Sequence, residues 1–201
     1  EEGHEIVERI KKNENLPILT SCCPGWINFI EHNYPDLLHI PSSCKSPQQM
    51  FGAVAKTYYA DVLGVDAEKI YCVSVMPCVA KKYECDVEAV NDAGAGKDVD
   101  ASITTRELAR MIVAAGIDVN QLPEEDFDQP LGTGTGAAVI FGATGGVMEA
   151  ALRTGYEWVT GEELGEVEFE EIRNIDYGMK VAHVQVGDIT LNVAIASGLG
   201  N

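Results

Sequence analysis

Positive charge is scarce in this sequence. Its 201 residues include 14 Lys and Arg against 32 Asp and Glu, which gives a formal net charge of -18 at pH 7. Nucleic acids and anionic membrane surfaces are bound by clusters of Lys and Arg, so the composition argues against both kinds of partner. The acidity is typical of a solvated surface. The other interpretation is a basic partner, such as an electron carrier or a maturation protein.

Long apolar runs are absent as well. No stretch approaches the roughly 20 apolar residues that a membrane span needs, and no signal peptide is visible in the opening residues 1–5. The sequence lacks a start methionine, and residues 197–201 resemble a turn into a further segment. We therefore expect a chain truncated at both ends. We also expect a cytoplasmic location, with a periplasmic parent protein left open because the N-terminus is missing.

Cysteines are few, at positions 22, 23, 44, 72, 78 and 85. A chain of this length, with 46% hydrophobic residues, has enough core to fold without a disulfide framework. Adjacent cysteines also bridge to each other poorly. The interpretation we favour is reduced thiols in a reducing compartment, some of them metal ligands.

Hydrophobic spacing predicts strands that alternate with helices. Strands are expected at 16–19, 69–76, 98–104, 181–186 and 190–196, and helices at 5–12, from 24 to 34, 46–63, 104–116 and 148–158. This order indicates an α/β fold with two lobes of mainly parallel β-sheet flanked by helices. The expected lobes of this single domain (1–201) are residues 1–95 and 96–201, hinged near 91–97.

Three local patterns make sharper predictions. Ser46 with Gln49, and Thr104 with Glu107, are spaced as capping boxes at helix starts. In the strand 69–76, even-numbered and odd-numbered positions both carry apolar side chains, so both faces of that strand are expected to be buried.

Two cysteine-containing turns carry the chemistry. TSCCPGW (20–26) and MPCVAKKYE (76–84) each place a thiol where a strand turns into a helix, and free N–H groups and the helix dipole favour a thiolate there. Neighbouring side chains point in different directions, so Cys22 and Cys23 are not expected to ligate one metal atom together. Cys23 and Cys78 are the candidates for one shared soft-metal site, while Cys44, Cys72 and Cys85 are predicted to be inert.

The two turns resemble the first two signature motifs of the catalytic domain of FeFe (iron-only) hydrogenases. Further matching segments follow in the same order along nearly the whole chain: EEGHE, PSSCKSPQQMFG, FGATGGVMEAALR and SGLGN. The resemblance implies that domain's fold. It also implies its reaction, the reversible combination of two protons and two electrons into hydrogen.

The resemblance further implies the H-cluster, a 4Fe–4S cubane joined through one cysteine to a two-iron unit carrying CO, cyanide and a bridging dithiolate. Cys23 and Cys78 would be cubane ligands. Cys22 would hand protons to the two-iron unit, and Lys81 would donate to a cyanide. The implied pocket-lining residues are Ser46, Gln48, Met76, Pro77 and Phe141. The implied proton route continues through Ser42, Glu5 and Glu2.

The sequence departs from the family pattern in two respects: the number of cluster-binding cysteines, and one position where a small residue is expected. A 4Fe–4S cluster is held by four cysteines, and the two others come from a later C-x-x-x-C motif that these residues lack. We therefore expect the fragment to hold the complete cofactor only if another segment donates that loop. Cys44 also stands where a small residue is expected. Implied partners are ferredoxin or NAD-linked subunits, maturation proteins and the missing C-terminal segment.

Two other functions remain as alternatives. One is a hydrogenase-like sensor or iron–sulfur assembly protein with little turnover, against which the retention of Cys22, Glu5 and Ser42 argues. The other is a thiol–disulfide oxidoreductase, which is disfavoured because redox dithiols prefer a C-x-x-C spacing. For Lys82 and Glu84, a role in the site and a plain helix-surface ion pair both remain open.

Overall fold

The computed structural model describes residues 1–172 and 178–201, and it confirms the α/β class. The helices are α1 (Glu2–Lys12), α2 (Pro24–Asn33), α3 (Pro47–Val54), α4 (Ala60–Leu63), α5 (Ala80–Glu84), α6 (Thr105–Ala114), α7 (Ala137–Ile140) and α8 (Gly146–Thr160). A π-helical segment, Ala55–Tyr59, joins α3 to α4. The strands are β1 (Val73–Met76), β2 (Ala101–Thr104), β3 (Glu170–Glu171), β4 (Met179–Val186) and β5 (Ile189–Ala196).

The chain divides into two compact units that are discontinuous in sequence. Unit 1 comprises residues 1–21, 26–44 and 134–201, and unit 2 comprises 22–25 and 45–133. This division differs from the two consecutive lobes predicted from the sequence. The physical reason is that α1 packs on α8, with the rings of His4 and Trp158 4.2 Å apart. The N-terminal helix therefore belongs with the C-terminal residues.

Unit 2 is built on a parallel pair of strands, β1 and β2, in which Val73 is opposite Ala101 and Met76 is opposite Thr104. The capping box of Thr104 and Glu107 at the start of α6 is confirmed. At the start of α3 the Ser46 hydroxyl accepts from the Gln49 N–H, as expected. The other hydrogen bond of the predicted box, from the Ser46 N–H to the Gln49 side chain, is wrong. The Gln49 side chain donates to Asn91 instead.

The prediction that both faces of β1 are buried is wrong. Tyr71, Val73 and Val75 are 71%, 52% and 44% exposed, whereas the alternate positions are half-buried. Within the described residues β1 pairs with β2 alone, so it lies at the edge of a two-stranded sheet. An edge strand with one packed face leaves its other face open to solvent.

The predicted hinge, residues 91–97, is held by hydrogen bonds to buried residues of unit 2. Asp98 is fully buried, and its carboxylate accepts from Lys45 Nζ at 2.8 Å and from the Ala93 N–H at 3.1 Å. The Asn91 side chain accepts from the Asp98 N–H at 2.8 Å. These bonds hold the glycine-rich segment against the rest of the unit, so it does not serve as a linker between units.

Unit 1 contains an antiparallel sheet, so the expectation of mainly parallel sheet does not hold there. β4 pairs with β5 through the two-residue turn Gly187–Asp188, where Gly187 has φ 58°, and β3 pairs antiparallel with β4. Two residues can join antiparallel strands only, because a parallel connection needs a crossover. The predicted strand 16–19 is reduced to a parallel bridge between Leu19 and Pro41.

Among residues 1–172 and 178–201, no helix has the combination of length and apolar character needed to cross a bilayer.

We predict that Gly52→Ala destabilises the protein by about 1–3 kcal/mol, the usual cost of overpacking. A Cβ at Gly52 would lie 2.5 Å from the Asp98 carbonyl oxygen, and Asp98 is pinned by the bonds described above. Gly134→Ala is the control, since a Cβ there meets nothing within 4 Å. Urea unfolding of both variants measures the difference. Equal stability of the two would contradict the close approach at Gly52.

Candidate metal centre

The two cysteine-containing turns meet within unit 2. Lys81 Nζ, from the second turn, donates to the Cys22 carbonyl oxygen at 2.8 Å, a contact between residues 59 positions apart. A Cβ built on Gly25 would lie 3.9 Å from Cys23 Sγ and 4.0 Å from the Ala80 Cβ. Gly25 thus lies near both the Cys23 thiol and the beginning of α5, which places the two turns side by side.

The local sequence explains how each thiol is presented. Pro24 begins α2 directly after the cysteine pair, as proline suits the first helical position. Cys78 follows β1, and its carbonyl accepts from the Lys81 N–H at 3.1 Å as the chain turns into α5. Cys23 and Cys78 are exposed and Cys22 is half-buried. Exposed thiols are accessible to a soft metal ion.

The donor set fits two positions of an iron–sulfur cluster site. Such clusters take cysteine thiolates, four for a cubane, and these turns offer Cys23 and Cys78. Across residues 1–172 and 178–201, no group of three or more His, Cys, Asp or Glu side chains is arranged to hold a metal ion. By residue type, Cys23 and Cys78 would supply two of the four thiolates that a cubane needs.

Lys81 is held by a buried carboxylate that the sequence analysis missed. Glu84 is 6% exposed, and its Oε2 accepts from Lys81 Nζ at 2.9 Å, from Ser46 Oγ at 2.8 Å and from Gln48 Nε2 at 3.3 Å. The i,i+3 spacing of Lys81 and Glu84, which places both side chains on one helix face, could have predicted this ion pair. The alternative pairing of Lys82 with Glu84 is wrong, because Lys82 binds Glu107 at 2.7 Å.

The predicted pocket-lining residues are found in different surroundings. Gln48 and Met76 line one cavity of about 470 Å³ in unit 2, and neither Cys23 nor Cys78 lines it. Ser46 is buried and engaged with Glu84, whereas Pro77 is exposed next to Cys78. Phe141 belongs to unit 1, where it follows α7 and is 38% exposed.

The predicted proton-route residues form a separate cluster within unit 1. The buried Ser42 donates from Oγ to Glu5 Oε2 at 2.6 Å, and the Ser43 N–H donates to the same oxygen at 3.0 Å. Arg9 Nη2 binds the other carboxylate oxygen at 2.6 Å. Arg9 was not singled out from the sequence, although it lies four residues after Glu5 on the same helix face.

The surroundings shift the pKa values of Glu2 and Glu5 in opposite directions. Burial raises the pKa of Glu2, and the charge of Glu5 adds to that rise against the hydrogen bond from Ser42. Burial also acts to raise the pKa of Glu5, but hydrogen bonds from Ser42, Ser43 and Arg9 outweigh it, and the net pKa is lowered. Glu5 is therefore ionised where Glu2 more readily keeps a proton.

Comparison with known proteins adds the family. The sequence model for the C-terminal domain of the iron-only hydrogenase large subunit matches residues 1–201. The chain belongs to this family. It is 58% identical, over its whole length, to 35% of the NADP-reducing hydrogenase subunit HndD of Solidesulfovibrio fructosivorans.

A solved structure supports the fold of this hydrogenase family. An apo FeFe-hydrogenase, a variant of HydA1 from Chlamydomonas reinhardtii, superposes with a TM-score of 0.86 at 40% identity, covering all of this chain and 58% of that one. A weaker likeness, 34% identity over 98% of the chain, links it to 43% of a probable cytosolic Fe–S cluster assembly factor of Culex quinquefasciatus. The chain thus spans between a third and three fifths of these relatives.

We predict that Ser42→Ala raises the pKa of Glu5, because the variant loses the side-chain donor that favours the carboxylate. The folded pKa of Glu5 lies below its unfolded value. Its contribution to stability is therefore present above the unfolded pKa and is lost as pH falls through the folded pKa. Ser42→Ala should reduce this contribution, so the loss of stability on the acid side should become smaller.

Titration of Glu5 by carboxyl ¹³C NMR, with stability measured against pH, checks this expectation. Ser43→Ala is the matched control, because Ser43 contacts Glu5 through its backbone N–H, which alanine retains. A Glu5 titration shifted equally by both substitutions would contradict the assigned role of the Ser42 hydroxyl.

Proposed function

We propose that this chain is part of an FeFe hydrogenase that interconverts protons and electrons with molecular hydrogen. The observation that carries the proposal is the meeting of the Cys22–Cys23 turn with the Cys78 turn, tied together by Lys81. Membership in the iron-only hydrogenase family gives those thiols a specific cofactor to bind.

Cys23 and Cys78 would hold the 4Fe–4S part of the H-cluster as thiolates. The cubane needs two further cysteines, which we propose are supplied by sequence beyond these 201 residues, since the matched relatives are longer. When bound, the cluster with its CO, cyanide and dithiolate ligands supplies the redox chemistry of hydrogen. Met76, Pro77, Gln48, Ser46 and Phe141 are proposed as residues around it.

Lys81 would act as a fixed cation beside a bound anion. Its ammonium group has three donors, of which one is used by the Cys22 carbonyl and one by Glu84. Among residues 1–172 and 178–201 the third N–H has no further acceptor, so it could donate to an anionic ligand such as the implied cyanide. Burial of Glu84 and its two further donors hold the lysine in place, so binding an anion there requires little reordering.

Proton movement would use a thiol, a hydroxyl and two carboxylates. Cys22 is proposed to donate to the two-iron unit, and Ser42, Glu5 and Glu2 are proposed to carry protons between Cys22 and solvent. The ionised Glu5 can accept a proton that Glu2 more readily holds, which is the arrangement expected of an acid–base pair. Ser42, which donates to Glu5 at 2.6 Å, can pass a proton by rotating its hydroxyl.

Electrons would come from a separate carrier. The strongly acidic composition suits a carrier with a basic docking face. A ferredoxin is one proposed carrier, and the relative named an NADP-reducing hydrogenase subunit suggests NAD-linked subunits as another source. Cofactor maturation proteins would be further partners. We propose a cytoplasmic location for these reactions.

A second candidate function is iron–sulfur cluster assembly with little turnover. The likeness to a probable cytosolic Fe–S cluster assembly factor favours it. The two functions differ in their need for the Cys22 thiol and the Glu5–Ser42 hydrogen bond, since cluster binding alone requires neither. The higher identity to a hydrogenase subunit favours the enzyme.

Cluster binding is tested by Cys23→Ala and Cys78→Ala after anaerobic reconstitution of the protein with iron and sulfide. Each variant should lose most of its iron and acid-labile sulfide, because a cubane with one thiolate removed is poorly held. Cys72→Ala is the matched control, since Cys72 lies just before β1, away from both turns. Full iron content in both ligand variants would refute the assignment.

Turnover is tested by Cys22→Ser in the protein loaded with its cluster. We expect unchanged iron content and unchanged infrared bands of CO and cyanide. Hydrogen production should fall by about a hundredfold or more, the usual scale for loss of a positioned proton donor. Full activity in this variant would remove Cys22 from the mechanism. A wild-type protein that binds its cluster without turnover would favour the assembly function.

A further inference from the structure

A third side chain reaches the Glu5 carboxylate in unit 1. Cys44 Sγ lies 3.6 Å from Glu5 Oε2, a distance suited to a hydrogen bond from a thiol. The backbone of Cys44 is held on both sides, because its N–H donates to Ser42 Oγ at 3.1 Å and its carbonyl accepts from Ser21 Oγ at 2.6 Å. The thiol is therefore presented to Glu5 by a fixed segment of chain.

Ser42 links this segment to the same carboxylate. Its oxygen accepts from the Cys44 N–H, and its hydroxyl lies 2.6 Å from Glu5 Oε2, to which it can donate. A carboxylate oxygen has room for more than one donor, so the thiol can approach the same atom. Ser42 and Cys44 thus converge on Oε2, while Arg9 Nη2 occupies Oε1.

The thiol keeps its proton in these surroundings. Partial burial raises the pKa of Cys44, the charges of Glu5 and Glu2 raise it further, and a hydrogen bond with Ser42 acts against them. The charged and titratable groups around Glu5 are Arg9 and Glu2 on its own helix and Cys44 on the facing segment. The N-terminal ammonium acts on Glu2. A protonated thiol beside an ionised carboxylate is a donor.

We propose that Cys44 is a positioning residue for Glu5, whose thiol donates to Oε2 and, with Ser42, holds the carboxylate ionised and aligned. This inference rests on the proposed proton route, in which Glu5 takes part. It concerns the side chain of Cys44 alone, since any residue at this position would keep both backbone bonds. The prediction from sequence that Cys44 is inert does not fit this contact with Glu5.

The test compares Cys44→Ala with Cys44→Ser, and with Cys72→Ala as a control for the loss of a thiol in unit 2, where the nearby charges are those of Lys56, Asp98 and Asp100. Cys44→Ala should increase the affinity of Glu5 for a proton by about two- to fivefold, the effect of losing one modest hydrogen bond to a carboxylate. Cys44→Ser replaces the thiol by a hydroxyl donor and should restore the titration of Glu5. Carboxyl ¹³C NMR of Glu5 gives this readout without the cluster.

The pH profile of hydrogen turnover in the cluster-loaded protein is the second readout. Its acid limb should move to higher pH in Cys44→Ala and return in Cys44→Ser. A Glu5 titration unchanged in a folded Cys44→Ala variant overturns the inference, and so does a serine variant that behaves as the alanine one does. A shifted Glu5 titration upholds the inference even if the wild type makes no hydrogen, a result that would count against the proposed function alone.

Discussion

The candidate metal centre depends on one buried ion pair, between Lys81 and Glu84. Lys81 joins two turns that are far apart in sequence, and Glu84 receives two more donors in addition to the lysine. A buried charge pair contributes little net stability, but removal of one partner leaves the other charge uncompensated in a dry environment. This arrangement fixes the relative position of the two turns, which a site made of distant thiols requires.

In the acid cluster of unit 1, burial and hydrogen bonds set the pKa values of two carboxyl groups. Four donors surround the Glu5 carboxylate, whereas Glu2 on the same helix is affected mainly by burial, so two identical side chains have opposite pKa shifts. The surroundings thus make Glu5 the more readily ionised of the two acids and Glu2 the more readily protonated. The serine and cysteine that supply two of the donors are two positions apart, so a short loop sets the ionisation of an acid on a helix.

Helix starts were predictable because they depend on neighbours in sequence. Pro24 begins α2, Ser46 caps α3 and Thr104 caps α6, as expected from residues within one turn of each. Failures came where a distant group competed. Asn91 takes the Gln49 side chain, and Asp98 anchors the glycine-rich segment that looked like a hinge. Neither competitor is visible in a local pattern.

By itself the sequence determined the α/β class, the family and the two thiol turns, because short motifs and hydrophobic periods are local properties of the chain. Only the tertiary structure decided that Glu84 pairs with Lys81, that Cys44 reaches Glu5 and that one face of β1 is open. Those outcomes depend on which side chains meet across long sequence separations. Packing and desolvation choose among such contacts, and neither can be evaluated before the chain is folded.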